Sequence, residues 1–547
     1  MFACGEKPKD PARRCGIGGQ SHLLAKKKNT HAVLQLGCER FKSSAWAGSR
    51  AWRPGPSGHV GKTTQEQRNG GTMSDASQNA SAAVSAQEQF EINRRKSKKA
   101  LPSLLVIFLL GTLMIQAMDF VYQNIGDSLG MGGQAALLTT IPGIILGVAC
   151  LIYETLGDFI SPKRMTMIGV WGLIVGSLVS FCCAWIGGPV AFWLVLAGRV
   201  VQVAGAQVAG SVFLVLTSKY LDGKEKARYF GIFNAVYYLA AAAGVFFGGM
   251  ITSWNWRYIF LLPVLAIFFV PVLSRNTPDI NVRSTKLDVI GIIVFGLSAT
   301  LLTVYFSYPD QWWLLLAAGL LFVMFALHVV DGKRPFITTR FVSNPRYMLP
   351  LVILFVLYAL NYAAVPIYQV IGSELFKVPL WETTLYLTVV YVVATIIGVF
   401  SGPIVNKLGR WGTMLWSAIF MTVGFALSAL FIHASFAMLT FFACIFIAGM
   451  TTVYTPIYDA GSAAVPSEEG GRAMGVLDLT LNVTGSIGIA VYSAMMANSG
   501  FAAHGFFGLT SGTAFNSVAN MFWCMAFLSL LGVVIIIASR RHIATRK

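Results

Sequence analysis

The sequence predicts an all-α integral membrane protein with fourteen transmembrane helices. Of the 547 residues, 55% are hydrophobic and only 12% are charged, and the mean hydropathy is +0.65, whereas a soluble domain is usually near a quarter charged. From about residue 102, apolar stretches of roughly 18–25 residues recur, each long enough to cross a hydrocarbon core of about 30 Å. The charges of the loops between them test the helix count independently.

Residues 1–100 are predicted to form a disordered, basic N-terminal extension, because they are polar and rich in Gly, Ser, Lys and Arg. Residues 1–72 contain 13 Lys or Arg and 4 acidic residues, and the difference between them is half of the chain's net charge of +18. The composition changes at Met73, where we expect translation to begin; mass spectrometry of the mature N-terminus tests this. No nucleic-acid partner is expected, because positive charge on the cytoplasmic side of a membrane protein gives the same basic total.

The fourteen predicted spans differ in length and have boundaries uncertain by a few residues. In chain order they are 102–124, 135–153, 165–185, 190–216, 229–251, 257–274, 289–307, 312–330, 347–371, 384–405, 412–432, 436–458, 474–496 and 516–538.

Loop charges support this count and give the orientation. With the basic cluster 94–99 placed inside, the cytoplasmic loops and tail hold 20 Lys or Arg, and the opposite loops hold only Arg257 and Lys377. A wrong number of helices would scramble this asymmetry. We therefore predict a multi-pass protein of the cell membrane with both termini in the cytoplasm, ending in a basic tail at 539–547.

Arg199 is the one Lys or Arg after residue 101 that falls in the middle of a predicted span and not in a loop or at a span's end. A guanidinium in mid-membrane costs at least about 2.5–3.5 kcal/mol, so it usually faces the bundle interior or an aqueous cavity and has a partner. Two interpretations stay open: Arg199 ties helices together, or it holds a substrate or controls a carboxyl group that carries a proton. Gln202 and Gly205 follow on the same helix, among small residues that let helices approach closely.

Asp119, in the outer half of the first span, is the matching acid. A carboxyl group between water and a cation can load and release a proton, because desolvation favours its protonated form and the cation its ionised form. The alternative is that Asp119 merely lines an aqueous vestibule. Tyr122, Gln123 and Asn124 follow it and are predicted to line the same cavity. Asp478 is assigned to the substrate cavity too, although it lies near the cytoplasmic end of its helix.

The sequence contains little that indicates an enzyme active site or a metal-binding site. The histidines lie at helix ends, in loops or in the tails, so no cluster suggests a metal site or a membrane enzyme. The nucleotide-binding pattern G-x-x-x-x-G-K-[ST] does not occur. We therefore expect no enzymatic activity, no cofactor and no metal.

Two loops carry related motifs. The loop after the second span reads ETLGDFISPKRMTMIG and is similar to the pattern G-x-x-x-D-[RK]-x-G-[RK]-[RK], with Asp158, Lys163 and Arg164 matching, while Glu154 and Ser161 stand where glycines are usual. The loop after the tenth span, GPIVNKLGRW, repeats this pattern, with an asparagine in place of the acid. Its matching residues are Gly402, Lys407, Gly409 and Arg410. The repetition indicates two homologous halves, as in secondary transporters.

Helix motifs add to these loops. Arg199, Gln202 and Gly205 match an R-x-x-Q-G-x-G element, and the fifth span resembles G-P-x-x-G-G without the proline. The matching glycines there are Gly244, Gly248 and Gly249. Over roughly residues 100–540 the chain resembles the major facilitator superfamily, within it the fourteen-helix drug:proton antiporter branch of tetracycline, quaternary-ammonium and bile-salt exporters.

The resemblance implies two six-helix bundles, at 101–275 and 347–538, with two extra transmembrane helices at 276–346 between them. It implies a monomeric, proton-driven exporter of amphipathic toxic compounds such as drugs, dyes or bile salts, with Asp119 and Arg199 coupling protons to transport. The loops bearing Asp158 with Lys163 and Arg164, and Lys407 with Arg410, would close the cytoplasmic side. The main alternative is a proton-coupled symporter that imports an organic anion held by Arg199; a membrane enzyme and a non-transporting sensor are further alternatives.

Overall fold

The computed structural model describes residues 67–135, 137–279, 288–307, 310–331, 343–359, 364, 367–368, 371–497, 499–508 and 512–543. The chain divides into two compact units, Met1–Ala80 and Ser81–Lys547. In the first unit the described residues, 67–80, are helical. In the second unit the described residues form helices joined by turns.

The long helices are numbered here in chain order. They are α1 (Gln67–Ser128), α2 (Leu137–Leu156), α3 (Pro162–Cys183), α4 (Gly188–Tyr220), α5 (Gly223–Asn255), α6 (Val270–Asn276), α7 (Val289–Ser307), α8 (Trp312–Asp331), α9 (Pro345–Ala359), α10 (Leu380–Leu430), α11 (Phe436–Ala463), α12 (Gly470–Ala497) and α13 (Thr513–Ala538). Short helical segments lie at Gly132–Gln134, Trp256–Leu261, Pro263–Phe269, Ile371–Leu375, Ser467–Glu469, Ser499–Ala502, Phe506–Gly508 and Arg540–Ile543.

Ten helical segments in the described part of the chain are long and apolar enough to cross a membrane. Two predicted spans, 384–405 and 412–432, lie within α10, which bends where Gly409 adopts a φ of 76°. Three more overlap α7, α9 and α12, which are outside those ten. The molecule is therefore an all-helical, multi-pass membrane protein, and the count of fourteen stays a prediction.

The segment before the first span differs from the predicted disorder. Residues 67–100 form the first part of α1, and Asn93 and Ser97 are buried. Arg94 and Lys98 form ion pairs with Glu225 of α5 at nitrogen–oxygen distances of 3.5 and 2.7 Å. These contacts give residues 87–100 partners that a sequence pattern does not reveal. Residues 1–66 lie outside the described residues, as do the linker segments 280–287 and 332–342.

The predicted sixth span is not one regular helix. It consists of two 3₁₀ segments, Trp256–Leu261 and Pro263–Phe269, followed by α6. Pro263 and Pro271 each stand at the start of a new segment. Because proline has no backbone N–H to donate, it interrupts the hydrogen-bond ladder of a continuous α-helix.

The helices before residue 277 meet those after residue 344 along two seams. Helix α5 packs against α10 and α11, and α2 packs against α12. Glycine is required for the approach of α5 to α10, since a Cβ on Gly402 would lie 2.5 Å from the Cα of Arg228. These contacts lie toward the end of the molecule that carries Lys163, Lys224 and Lys407, which we call the basic end.

Two further helices lie beside the second seam. Helix α7 packs against α8 and also contacts both α2 and α12, so it covers the α2–α12 seam from outside. Helix α8 has only 17% of its most apolar stretch buried inside the protein. Its exposed side chains include Trp312, Leu316 and Leu320. This surface suits contact with lipid.

Candidate functional site

Arg199 on α4 is held in the protein interior by neutral groups. Its side chain is 1% exposed. Nη1 donates to the Oε1 of Gln202 at 2.9 Å, and Nη2 donates to the carbonyl oxygen of Leu138 at 3.5 Å. Gln202 in turn donates to the hydroxyl of Ser177 on α3 at 2.7 Å. The guanidinium is therefore fixed by three helices, with its charge uncancelled by these bonds.

Asp119 on α1 is close enough to Arg199 for the two charges to interact electrostatically. Among the described residues, they do not form a direct ion pair. Asp119 is exposed, and it is the last residue of the first candidate span, nine residues before the end of α1. An exposed carboxyl group beside a buried cation is the arrangement expected of a residue that faces a cavity within a helix bundle.

The three polar residues after Asp119 have different environments. Tyr122 is half-buried, whereas Gln123 and Asn124 are exposed. Gln123 donates to the Oδ1 of Asp127 at 3.0 Å and to the carbonyl oxygen of Gly132 at 3.3 Å. Gln123 therefore braces the turn between α1 and α2, at the end opposite to the basic end.

Tyrosines near Asp119 were missed by sequence reasoning. Tyr391 on α10 lies in the neighbourhood of Asp119, and its ring centroid lies 6.3 Å from that of Tyr238 on α5. Tyr358 on α9 donates to the carbonyl oxygen of Met450 at 2.8 Å. No local motif marks these residues, because they come from three separate helices and meet through tertiary packing.

The glycines predicted to have a packing role lie at contacts between helices. A Cβ on Gly244 would lie 2.7 Å from the carbonyl oxygen of Leu113, and one on Gly248 would lie 3.1 Å from the Cα of Ala117. Both glycines thus let α5 pack directly on α1, within the two turns before Asp119. Gly205 does the same between α4 and α3, and Gly249 lies in α5.

Asp158, just after α2, binds the start of α12. Its carboxylate accepts the backbone N–H groups of Gly471 at 3.0 Å and Arg472 at 2.9 Å. It also forms ion pairs with Lys219 at 2.8 Å and with the side chain of Arg472 at 3.5 Å. A carboxylate at a helix N-terminus satisfies free N–H groups and the positive end of the helix dipole. We call Asp158, Lys219, Gly471 and Arg472 the Asp158 cluster.

The basic residues of the first loop motif lie apart from Asp158. Lys163 approaches Asp279 at 3.9 Å with both side chains partly exposed, and Arg164 is exposed. That this loop helps to close the cytoplasmic side stays a prediction. The turn into α3 directs Lys163 toward the end of α6, whereas Lys219 at the end of α4 reaches Asp158.

The second motif also makes a buried contact. Arg410 follows the bend at Gly409 and donates through Nε to the Oδ2 of Asp459 on α11 at 2.6 Å. Lys407 is exposed, and Gly402 packs against α5. Asn406, which stands in the place of the motif acid, donates to the carbonyl oxygen of Lys224 at 3.2 Å. This bond joins α10 to α5 at the basic end.

Asp478 lies where the helices before residue 277 meet those after residue 344, which we call the two helix groups. Its partner there is Glu154, which sequence reasoning did not include in the site. Asp478 on α12 lies beside Glu154 on α2, since a Cβ on Gly475, one turn before Asp478, would lie 3.3 Å from the Cβ of Glu154. Tyr458 donates to the Oδ1 of Asp478, and Ser211 donates to the Oε1 of Glu154 at 3.2 Å. The signal available in the sequence was the glutamate at the glycine position of the first loop motif.

No metal centre is found among the residues that the structure describes, since no group of three His, Cys, Asp or Glu side chains converges there.

Comparison with known proteins agrees with this architecture. A family model described as Major Facilitator Superfamily matches residues 103–489. The drug efflux pump JefA of Mycobacterium tuberculosis is 25% identical over 381 residues, which are 67% of this chain and 74% of that protein. The multidrug resistance protein Stp of the same organism is 23% identical over 383 residues, 67% of this chain and 70% of that protein.

A solved structure shares the fold. The human organic anion transporter MFSD10 (TETRAN) superposes with a TM-score of 0.58 at 13% identity, covering 81% of this chain and 99% of that chain. The family model itself covers well over half of the sequence. This protein therefore belongs to the major facilitator superfamily and is a membrane transporter of small molecules, not an enzyme.

Proposed function

We propose that the protein is a proton-driven exporter that exchanges external protons for amphipathic toxic compounds such as drugs, dyes or bile salts. The observation that carries this proposal is the proximity of an exposed acid, Asp119, to a buried, fixed cation, Arg199. The drug efflux relatives support export over the import of an organic anion.

The proposal includes the architecture that the sequence predicts. The protein would act as a monomer in the cell membrane with fourteen spans, both termini in the cytoplasm, and six-helix bundles at 101–275 and 347–538. The two extra helices would lie at 276–346. The basic end would then be cytoplasmic, since loops rich in Lys and Arg stay on that side.

The cycle follows from this orientation. The contacts at Gly402, Asn406 and Asp158 close the basic end, so this conformation would face outward, and Asp119 would take a proton from outside as substrate leaves. When the helix groups rock and the cavity opens inward, cytoplasmic substrate and the charge of Arg199 would favour release of that proton. Inward movement of one proton is worth about 2.3 kcal/mol per 100 mV of membrane potential.

The substrate would bind between the helix groups near Asp119. Tyr122 and Tyr391, which are partly exposed, would supply flat apolar surface there, and aromatic faces accommodate varied amphipathic shapes. Arg199 is a positive charge in this region, so we expect anionic and neutral amphiphiles to be preferred over dications. Gln202 would keep the guanidinium in place.

The decisive experiment replaces the proposed proton carrier. In proteoliposomes with an imposed proton gradient, Asp119→Asn should abolish gradient-driven exchange of a bile salt or a dye while leaving equilibrium counterflow of the same compound. Asp127→Asn is the matched control, because Asp127 lies on the same helix and is exposed. Full gradient-driven exchange by Asp119→Asn would overturn the proposal, and accumulation along an inward proton gradient would favour the importer.

A further inference from the structure

Glu154 and Asp478 form a buried acidic pair across the α2–α12 seam. Glu154 is 0% exposed and Asp478 is 7% exposed. The two residues belong to helix groups that must separate at the basic end if the transporter opens there. We define these two carboxyl groups as the seam pair; neither of them belongs to the Asp119–Arg199 site.

The hydrogen bonding of the seam pair requires a proton. Ser211 donates to one oxygen of Glu154, and Tyr458 donates to one oxygen of Asp478. The second oxygen of Glu154, Oε2, is buried and has no donor among the described residues, and the close approach of α12 to α2 at Gly475 places the two buried carboxyl groups next to each other. Ionised carboxylates only accept hydrogen bonds, so a contact between two of them needs a proton on one member.

Within the described part of the chain, no positively charged group acts on the pair in place of that proton. The titratable groups that interact with the pair are Cys150 of α2, Tyr347 of α9, and Tyr454 and Tyr458 of α11. On α4 the facing groups are Ser211 and Gln207, which do not titrate. The nearby cations Lys219 and Arg472 are paired with Asp158 one turn toward the basic end, and Asp288, just before α7, is hydrogen-bonded to His328.

We infer that the seam pair is a second proton-binding site, which holds one shared proton while the α2–α12 seam is closed and releases it when the seam opens to water. Two like charges in contact in a dry seam repel strongly, so loss of the shared proton drives α2 and α12 apart. Protonation therefore favours closure of the basic end. The place of this step in a transport cycle rests on the proposed function, but the proton site itself does not.

A cross-linking assay tests the inference directly. Lys224 and Asn406 are exposed neighbours on α5 and α10 at the basic end, so cysteines at both positions report closure when a short bifunctional thiol reagent joins them. The cross-linked peptide is identified by mass spectrometry in the full chain, which leaves the native cysteines in place. Each variant is compared with its Lys224→Cys/Asn406→Cys parent at the same pH, so the pH dependence of the thiol reaction cancels.

Removal of either acid should uncouple closure from pH. At acidic pH, Asp478→Asn and Glu154→Gln should cross-link like the parent. At alkaline pH they should cross-link about 5–150 times more, the range of a typical coupling between sites. The double variant should equal either single variant, because the two groups share one proton. Glu382→Gln, the control on α10, should match the parent throughout.

The inference is overturned if both single variants cross-link to the same extent as the parent across the whole pH range. If one variant does not fold, the other carries the test. The parent protein gives a further readout: infrared difference spectra between acidic and alkaline pH should lose a carboxylic acid C=O band that Glu154→Gln or Asp478→Asn lacks, and absence of that band also overturns the inference. A flat ratio together with loss of exchange in Asp119→Asn would refute the seam pair alone.

Discussion

At the scale of single residues, Arg199 combines a full charge with an immobile side chain. The planar guanidinium reaches two acceptors at once, the Oε1 of Gln202 and the carbonyl oxygen of Leu138. An ammonium group on a flexible stem lacks this fork geometry. The charge is therefore held at a defined place relative to Asp119, as the proposed proton exchange at Asp119 would require.

Substitution of Arg199 should separate charge from position. Arg199→Gln removes the charge and should reduce gradient-driven export at least about tenfold, equivalent to 1.4 kcal/mol. Arg199→Lys keeps the charge but loses one of the two contacts, so it should retain part of the activity. Initial rates at several values of the proton gradient provide the measurement. Equal activity of both variants would mean that Arg199 serves only to tie α4 to α2 and α3.

At the scale of secondary-structure elements, the Asp158 cluster joins a loop to a helix terminus. The first N–H groups of α12 lack partners within the helix, and Asp158 accepts two of them. A hydrogen bond to a charged group contributes about 1.5–3 kcal/mol. Because α2 and α12 belong to the two groups of helices, this energy stabilises one closed conformation and not the fold of either group.

Loss of the Asp158 carboxylate should open the basic end. Asp158→Ala should lower cross-linking between cysteines at 224 and 406 at least about tenfold, or 1.4 kcal/mol in the conformational equilibrium. Lys163→Gln is the control, because its pairing with Asp279 is long and partly exposed and such pairs contribute about 0–1 kcal/mol. If Asp158→Ala cross-links like the parent, the cluster does not hold the seam closed.

At the scale of the whole molecule, transport requires that the seams come apart. The α5–α10 contacts at Gly402 and Asn406 and the α2–α12 contacts at Asp158 lie at the same end. One rigid-body movement of the helix groups can therefore break them together, which is the expected motion of transporters built from repeats.

A covalent tie at this end should stop turnover. In the Lys224→Cys/Asn406→Cys protein, a cleavable cross-linker should abolish export, and cleavage should restore it. Each single-cysteine variant treated with the same reagent is the control, since it carries the chemical modification without the tie. Export that continues at the normal rate after complete cross-linking would exclude separation of α5 from α10 as part of the cycle.

The sequence predicts local features better than contacts between distant segments. A charged residue within an apolar run marks Arg199 and Asp119 without any structure, and a loop motif marks Asp158. By contrast, Glu154 and Asp478 are separated by more than 300 residues, and only tertiary packing places their carboxyl groups together. The same reason hides the contact of Tyr391 with Tyr238 and the true partners of Asp158.

The sequence likewise predicts where most helices lie but not where they bend or break. Apolar run lengths place most spans within a few residues, but the φ of Gly409 and the breaks at Pro263 and Pro271 depend on backbone geometry. A glycine or a proline can end a helix, bend it or restart it. Which of these happens is decided by neighbouring helices, for example by α11, whose Asp459 binds Arg410 directly after the bend.

The position of α7 makes the two seams unequal toward the bilayer. Helix α7 contacts both α2 and α12. It therefore separates the α2–α12 seam from the lipid, and a lipophilic compound dissolved in the bilayer cannot reach that seam directly. The flank formed by α5 and α10 is bordered instead by outward-facing apolar side chains such as Phe246, Val392 and Phe400. A substrate that enters laterally from the bilayer should therefore do so on one side of the protein, between α5 and α10.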